Sequence, residues 1–349
     1  MTSDVINLLD LSSDQLMELI VDWGQPRFRS AQIWRWIYHT LTDDPGEMAN
    51  LPMDLRERLS TQTRIERLKP VDTIHDDEDL TEKVLLEAED GHLLEAVLMR
   101  YASRNSVCVS TQIGCPIGCL FCATGYAGYT RDLTTGEITA QVLHFSRRLR
   151  EQNAHVTNVV FMGMGEPMLN FDATWQAILN LNDREGLALG ARRFTVSTAG
   201  LVPGIERMAR ESLAVGLAVS LHAGNDALRD RLVPVNRRYP LERLIQAARF
   251  YIERTGRRVT FEYALAEGIN DSVEDAQEVA ALLRGLNCHV NLIPLNPTPG
   301  CGYQPSSRQA VMAFQQALVR ARIQTTVRLR RGAQIQAGCG QLRGCYRDK

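Results

Sequence analysis

From about residue 105 the chain repeats one pattern: a short apolar run, a loop, then an amphipathic helical stretch. The runs are "SVCVSTQ", "VTNVVFMG", "RFTVSTA", "AVGLAVSLH", "RVTFEYAL", "HVNLIPLN" and "TTVRLR". Helical stretches such as "TTGEITAQVLHFSRRLRE", "LERLIQAARFYIERTG" and "SVEDAQEVAALLRGL" lie between them. This alternation predicts a mainly parallel sheet with helices packed outside it. A closed barrel needs eight strands, and six or seven can be read here. The expected fold class is therefore α/β, an incomplete (β/α)6-type barrel open along one side. A doubly wound sheet is the alternative.

Before residue 105 the pattern differs. Residues 1–62 carry helix signals: "LSSDQLMELIVDWG", with Ser12 or Ser13 as cap and Gly24 as stop, then "RSAQIWRWIYHT" and "PMDLRERLS". "EKVLLEAEDGHLLEAVLMRY" reads as a hairpin turning at Asp90-Gly91. The expected organisation is a helical domain over 1–62, a linker and hairpin over 63–104, and the partial barrel over 105–349. No apolar run approaches membrane-spanning length, and "MTSDVINLLDLSSDQL" lacks the basic start and apolar stretch of a signal peptide. A cytoplasmic protein is the expectation. A net charge of −2 neither requires nor excludes nucleic acid, since a basic patch can hide in a balanced total.

Residues with chemistry gather at the carboxyl ends of the predicted strands, the rim where such folds build sites. "GCPIGCLFCATG" follows the first, "GMGEP" the second, and Ser197 sits near the end of the third. Ser220, Leu221 and His222 end the fourth, and Asn296 the sixth. Eight cysteines, three of them clustered, point to metal or redox chemistry before structural disulfides. Cys115, Cys119 and Cys122 are three thiols where the usual metal set is four. A four-iron cluster held by three thiolates leaves one iron open to a small molecule; a zinc ion completed by Cys108 or a remote histidine is the other reading. The glycines of "GMGEP" let backbone approach a ligand closely, and Glu166 offers a carboxylate to a cationic amine. Cys339, between two glycines in "AGCGQL", is a sterically accessible nucleophile, although lone cysteines commonly pack as small apolar groups.

Together "CVSTQIGC", "GCPIGCLFCATG", "FMGMGEP", "VSLHA", "NLIPLNP" and "CGQL" resemble the RlmN-type RNA adenine methyltransferases, a branch of the radical S-adenosylmethionine (SAM) enzymes. The resemblance runs from the N-terminal helices to residue 345. It implies one [4Fe–4S] cluster on Cys115, Cys119 and Cys122, with SAM on the open iron and contacts to SAM from Gly165, Glu166, Ser197, Ser220, Leu221, His222 and Asn296. It further implies methylation of carbon 2 of an adenine in 23S rRNA, and in tRNA, using two SAM per turnover. In that scheme Cys339 takes a methyl group from one SAM, and a 5′-deoxyadenosyl radical from the second removes a hydrogen from it. The carbon radical joins the ring, Glu95 removes the ring proton, and Cys108 attacks the Cys339 sulfur to release the product and leave a disulfide. Glu95 follows from the resemblance of "LLEAVLM" alone; Glu87 and Glu89 are its neighbours. A monomer reduced by a flavodoxin or ferredoxin system is expected, with no membrane partner.

For RNA contact, "QPRFRSAQIWRWIYH" sets Arg27, Arg29 and Arg35 among Phe28, Trp34, Trp36 and Tyr38. Ile33, Trp36 and Ile37 at helical spacing also read as core. Arg328, Arg330 and Arg331 form a second basic candidate, or a solvated charge run. Gln334 and Gln336 stand where the family commonly has acidic residues, and Gly338 where alanine is frequent. Cys288, Cys301 and Cys345 carry no assigned role. Two other functions compete: a carbon-8 methyltransferase of the Cfr type, against which Pro167 in "GMGEP" speaks, and a non-methylating Fe–S RNA-binding protein.

Overall fold

Among the described residues ten strands form one sheet whose spatial order follows the chain. They are β1 (Lys69–His75), β2 (Thr81–Glu87), β3 (Leu93–Tyr101), β4 (Arg104–Cys108), β5 (Asn158–Phe161), β6 (Phe194–Thr198), β7 (Gly216–Ser220), β8 (Val259–Leu265), β9 (Cys288–Pro294) and β10 (Gln324–Val327). The computed structural model describes residues 5–298, 302–328, 332 and 334–344. Strands β1 to β4 pair antiparallel, and from β4 to β10 every pairing is parallel. The order never reverses, so this is the one-way winding of a barrel and not a doubly wound sheet. No pairing joins β1 to β10 among the described residues, and the sheet stays open.

The hairpin expected at Asp90-Gly91 is β2–β3, with Gly91 at φ +80. Through β4 it continues the sheet of the parallel strands. Strand β1 adds an exposed edge with a register shift at Pro70. The buried faces of the parallel strands supply Val159, Phe161, Phe194, Val196, Leu217, Val219, Phe261 and Leu292 to a continuous core. Each such burial contributes about 1.5–3 kcal/mol.

The N-terminal helices are α1 (Ser13–Asp22), α2 (Phe28–Arg35) and α3 (Met53–Gln62). Ser12 caps α1 in a reciprocal box with Gln15. After a short helix α4 (Ala123–Tyr126) come α5 (Thr135–Arg150) and α6 (Phe171–Asn182), and the N-terminal module docks on these two. Asp10 accepts from the Gly136 amide at the start of α5 at 2.6 Å, Arg147 donates to the Leu41 carbonyl at 2.8 Å, and Asn180 to the Leu11 carbonyl at 3.0 Å. Leu8, Leu16, Ile33 and Ile37 share one core with Ile138 and Phe145. Among the described residues no helix is long and apolar enough to cross a membrane.

Candidate active site

The three-cysteine loop leaves the sheet after a three-residue strand, Gln112–Gly114, that pairs with Tyr129–Asp132. The Cys115 amide donates to the Gly128 carbonyl at 2.7 Å and the Cys122 amide to that of Cys119 at 3.2 Å. All three cysteines line one cavity at the carboxyl rim of the parallel strands. Burial pushes the Cys115 thiol up to about 12 and Cys119 well above its ordinary value. Iron coordination would deprotonate them. Among the described residues no group of three or more His, Cys, Asp and Glu side chains is gathered as for a single ion.

Gly165, Glu166, Ser197, Ser220, His222 and Asn296 line the same cavity. Gly165 has φ +102, and a Cβ there would stand 2.7 Å from the Gln112 side chain. Glu166 is buried; Oε1 accepts from the Met168 amide at 3.0 Å and Oε2 from that of Ala199 at 2.7 Å. Burial raises its carboxyl to about 7 against the pull of those amides. His222, at φ +62, accepts from the Ala264 amide through Nδ1 at 3.0 Å. Burial, then the charge of Arg229, lowers it to about 3, so the ring is neutral and Nε2 carries the proton. Leu221 does not line the cavity: its side chain is buried in the core, and its carbonyl accepts from Arg229 at 3.0 Å.

Asn296 donates to the Cys339 carbonyl at 3.2 Å, while its buried Oδ1 finds no partner among the described residues. An open acceptor and a loop of three thiols suit a bound cofactor with polar donors of its own. The residues present thus fit a cluster with SAM.

Cys339 lines this cavity and also an adjoining smaller one, which Cys108 lines as well. Two cysteines from distant parts of the chain therefore share one space. Cys108 ends β4 between Val97 and Val160; burial first, then neighbouring Cys339, pushes its thiol up to about 12. The Cys339 segment is tied to the cysteine loop, since the Ala123 amide donates to the Gly340 carbonyl at 2.7 Å and Thr124 to that of Leu342 at 2.7 Å. A Cβ at Gly338 would lie 2.5 Å from Asn296 Nδ2, so glycine gives the carboxamide room. Gln334 reaches Asp77 at 3.2 Å, and Gln336 accepts from Arg343 at 3.2 Å. Glu95 is buried but lines neither cavity: Oε1 lies 2.7 Å from Lys83 Nζ, and Oε2 accepts from the Arg343 and Gly344 amides.

Several residues sit differently from their sequence reading. Arg328 turns inward and donates to Cys339 Sγ at 3.4 Å, where it is no part of a solvated run. Arg330, Arg331, Cys301 and Cys345 lie outside the described residues. Cys288 is buried at the start of β9. Trp34 and Tyr38 are core, their rings 4.4 Å apart, while Trp36 is half-buried and bonded to Asn50 at 2.6 Å. Arg35 pairs with Glu185, Arg29 bonds Gln32 and the Asn50 carbonyl, and Arg27 and Phe28 remain exposed. Two site residues had no sequence signal. Arg229, wholly buried, donates to the carbonyls of Ala199, Leu221 and Ser220 and to Asn236, bracing the rim of β6 and β7. Glu262 of β8 lines the cavity and accepts from Asn291 at 2.8 Å.

Comparisons with known proteins follow this geometry. Residues 6–65 match the ribosomal RNA large subunit methyltransferase N-terminal domain, and residues 109–283 match the radical SAM superfamily. The chain is 46% identical to a probable dual-specificity RNA methyltransferase RlmN of Roseiflexus castenholzii, covering 97% of this chain and 96% of that protein. With the protein of the same name from Geobacillus kaustophilus it shares 45% identity, covering 98% of this chain and 94% of that one. The crystal structure of a radical SAM methyltransferase from Sphaerobacter thermophilus superposes with a TM-score of 0.95 at 51% identity, over 97% and 99% of the two chains. Near-complete coverage at this identity leaves one conclusion: the chain belongs to the RlmN family of radical SAM methyltransferases.

Proposed function

We propose that this protein methylates carbon 2 of an adenine in 23S rRNA, and in tRNA, through a covalent intermediate on Cys339. The observation that carries the reading is that Cys339 and Cys108 line one cavity directly beside the three-cysteine pocket. Carbon 2 is an electron-poor aromatic C–H and cannot attack a methyl group as a nucleophile. When bound, a [4Fe–4S] cluster on Cys115, Cys119 and Cys122 and two SAM per turnover supply an electron, a methyl group and a hydrogen-abstracting radical.

The chain's residues divide the remaining work. Arg328, donating to Cys339 Sγ, places a cationic donor on the sulfur that takes the methyl group. Glu166 and the Asn296 carboxamide offer acceptors to SAM, and Gly165, Ser197 and Ser220 shape its seat. Neutral His222 presents an N–H donor at the same rim. After losing a hydrogen atom, the S-methylene carbon of Cys339 bonds to carbon 2 and joins RNA to protein. The adduct then gives up one electron, which a cluster left one electron short by radical formation would take back, and its ring proton passes to Glu95 once the Arg343–Gly344 backbone lifts from that carboxylate. Finally Cys108, whose thiol gives up its proton as it reacts, attacks the Cys339 sulfur. The S–S bond forms as the carbon–sulfur bond breaks, and the electron pair leaves with the base, which takes up a proton. The reading includes a cytoplasmic monomer reduced by a flavodoxin or ferredoxin system.

Nucleoside mass spectrometry of rRNA and tRNA fragments, incubated anaerobically with reconstituted enzyme, SAM and reductant, tests the reading. Methyl on carbon 2 of adenine is expected. Methyl on carbon 8, or no SAM cleavage, would contradict it.

A further inference from the structure

The segment carrying Cys339 is gripped from the hairpin. On β2, buried Lys83 places Nζ 2.7 Å from Glu95 Oε1 and donates to the Gln336 carbonyl at 3.4 Å. On β3, Glu95 Oε2 accepts from the Arg343 amide at 2.5 Å and the Gly344 amide at 3.1 Å. Lys83 lies opposite Val97, and Glu95 opposite Leu85, so the two are diagonal neighbours on one face of the β2–β3 pair. The hold falls on residues both before and after Cys339. Gly344 allows the segment to lie flush: at φ +64, a Cβ there would stand 2.6 Å from the Leu93 carbonyl of β3.

An ion pair this buried is a weak source of stability, since apolar replacement of such pairs is often neutral or stabilising. Its distinguishing property is what it offers the segment: an acceptor for two backbone amides and a donor for one carbonyl, all in a water-poor setting where each bond is strong. Lys83 lines neither cavity. We propose that Lys83 and Glu95 form a clamp that holds the Cys339 segment against the sheet and so sets the position of its thiol beside Cys108, with Lys83 as a positioning residue. The purpose of the clamp rests on Cys339 being the methyl carrier, but its existence does not.

Amide hydrogen exchange on the full chain, without turnover, reads the clamp directly. In the wild-type protein the Arg343 and Gly344 amides should exchange roughly tenfold or more slowly than exposed amides. In the double variant Lys83→Met, Glu95→Leu, which keeps an apolar pair in the core, they should exchange roughly tenfold faster than in wild type, with the melting temperature and the protection of β5–β8 unchanged. Lys83→Arg should restore the protection. Unprotected amides in the wild type, full protection in the double variant, or a loss of protection spread over the whole sheet would overturn the proposal. Because the wild-type measurement needs no variant to fold, the clamp remains falsifiable in every case. Protected amides in a chain that methylates no RNA would defeat the proposed activity and leave the clamp standing.

Discussion

Arg328 and Cys339 meet as guanidinium and thiol in a half-enclosed space, where a charged donor counts for more than it would in water. Removing that charge while keeping length, as in Arg328→Met, takes away the cationic donor beside the reacting sulfur. Alkylation of Cys339 by iodoacetamide near neutral pH should slow about tenfold, read by peptide mass spectrometry. His222 makes a second residue-scale prediction. Burial, with Arg229 second, keeps its ring neutral down to about pH 3, while in the unfolded chain it titrates near 6.5. Between those values the unfolded state binds a proton that the folded state refuses, so stability falls as pH drops through this window. Denaturant unfolding of cofactor-free His222→Gln should show a shallower acid limb than wild type; an unchanged limb would contradict this account of the ring. At this scale the sequence was legible where residue types are unusual: a tight trio of thiols, or a cysteine between glycines. Arg229 was not, because its acceptors are backbone carbonyls on different elements, which no side-chain pattern encodes.

The strand-to-loop turns are where the site is built. Gly165 holds φ +102, and a Cβ there would stand 2.7 Å from the Gln112 side chain. Gly165→Ala should cost about 1–3 kcal/mol in cofactor-free stability and weaken SAM binding, measured by thermal melting and by titration. Unchanged melting and affinity would mean that the turn relaxes freely. Most elements could be read in advance, since β4 to β10 carry β-branched and aromatic runs between amphipathic helical stretches. Strand β1 could not: "KPVDTIH" is a polar edge strand interrupted at Pro70, and what defines it is its neighbour β2. The aromatic residues of α2 and the turn after it carried two readings, RNA contact and core. The helix widens into a π turn over Trp36–Thr40, and both Trp34 and Tyr38 point into the core. A regular 3.6-residue count separates inward from outward positions less well across such a turn.

At the scale of the whole molecule, the fold gathers at one rim what the sequence spreads over most of its length. Strands wound in one direction bring the cysteine loop, the glycine turn and the strand-end residues around a common cavity, and the carboxyl-terminal segment closes over it with Cys339. The hairpin is continuous with that sheet and supplies Lys83 and Glu95 beneath the segment. The shared rim of the strand ends was legible from the alternation of strands and helices, whereas the return of the Cys339 segment to that rim was foreseen only through resemblance to a family. The central claim is that RNA is joined to Cys339 and freed by Cys108. It is tested most directly with Cys108→Ala, incubated anaerobically with an RNA fragment, SAM and reductant, then digested and examined by mass spectrometry. The account predicts an RNA adduct on the peptide bearing Cys339 and little released product. Free methylated adenine at the wild-type level, with no adduct on that peptide, would contradict it.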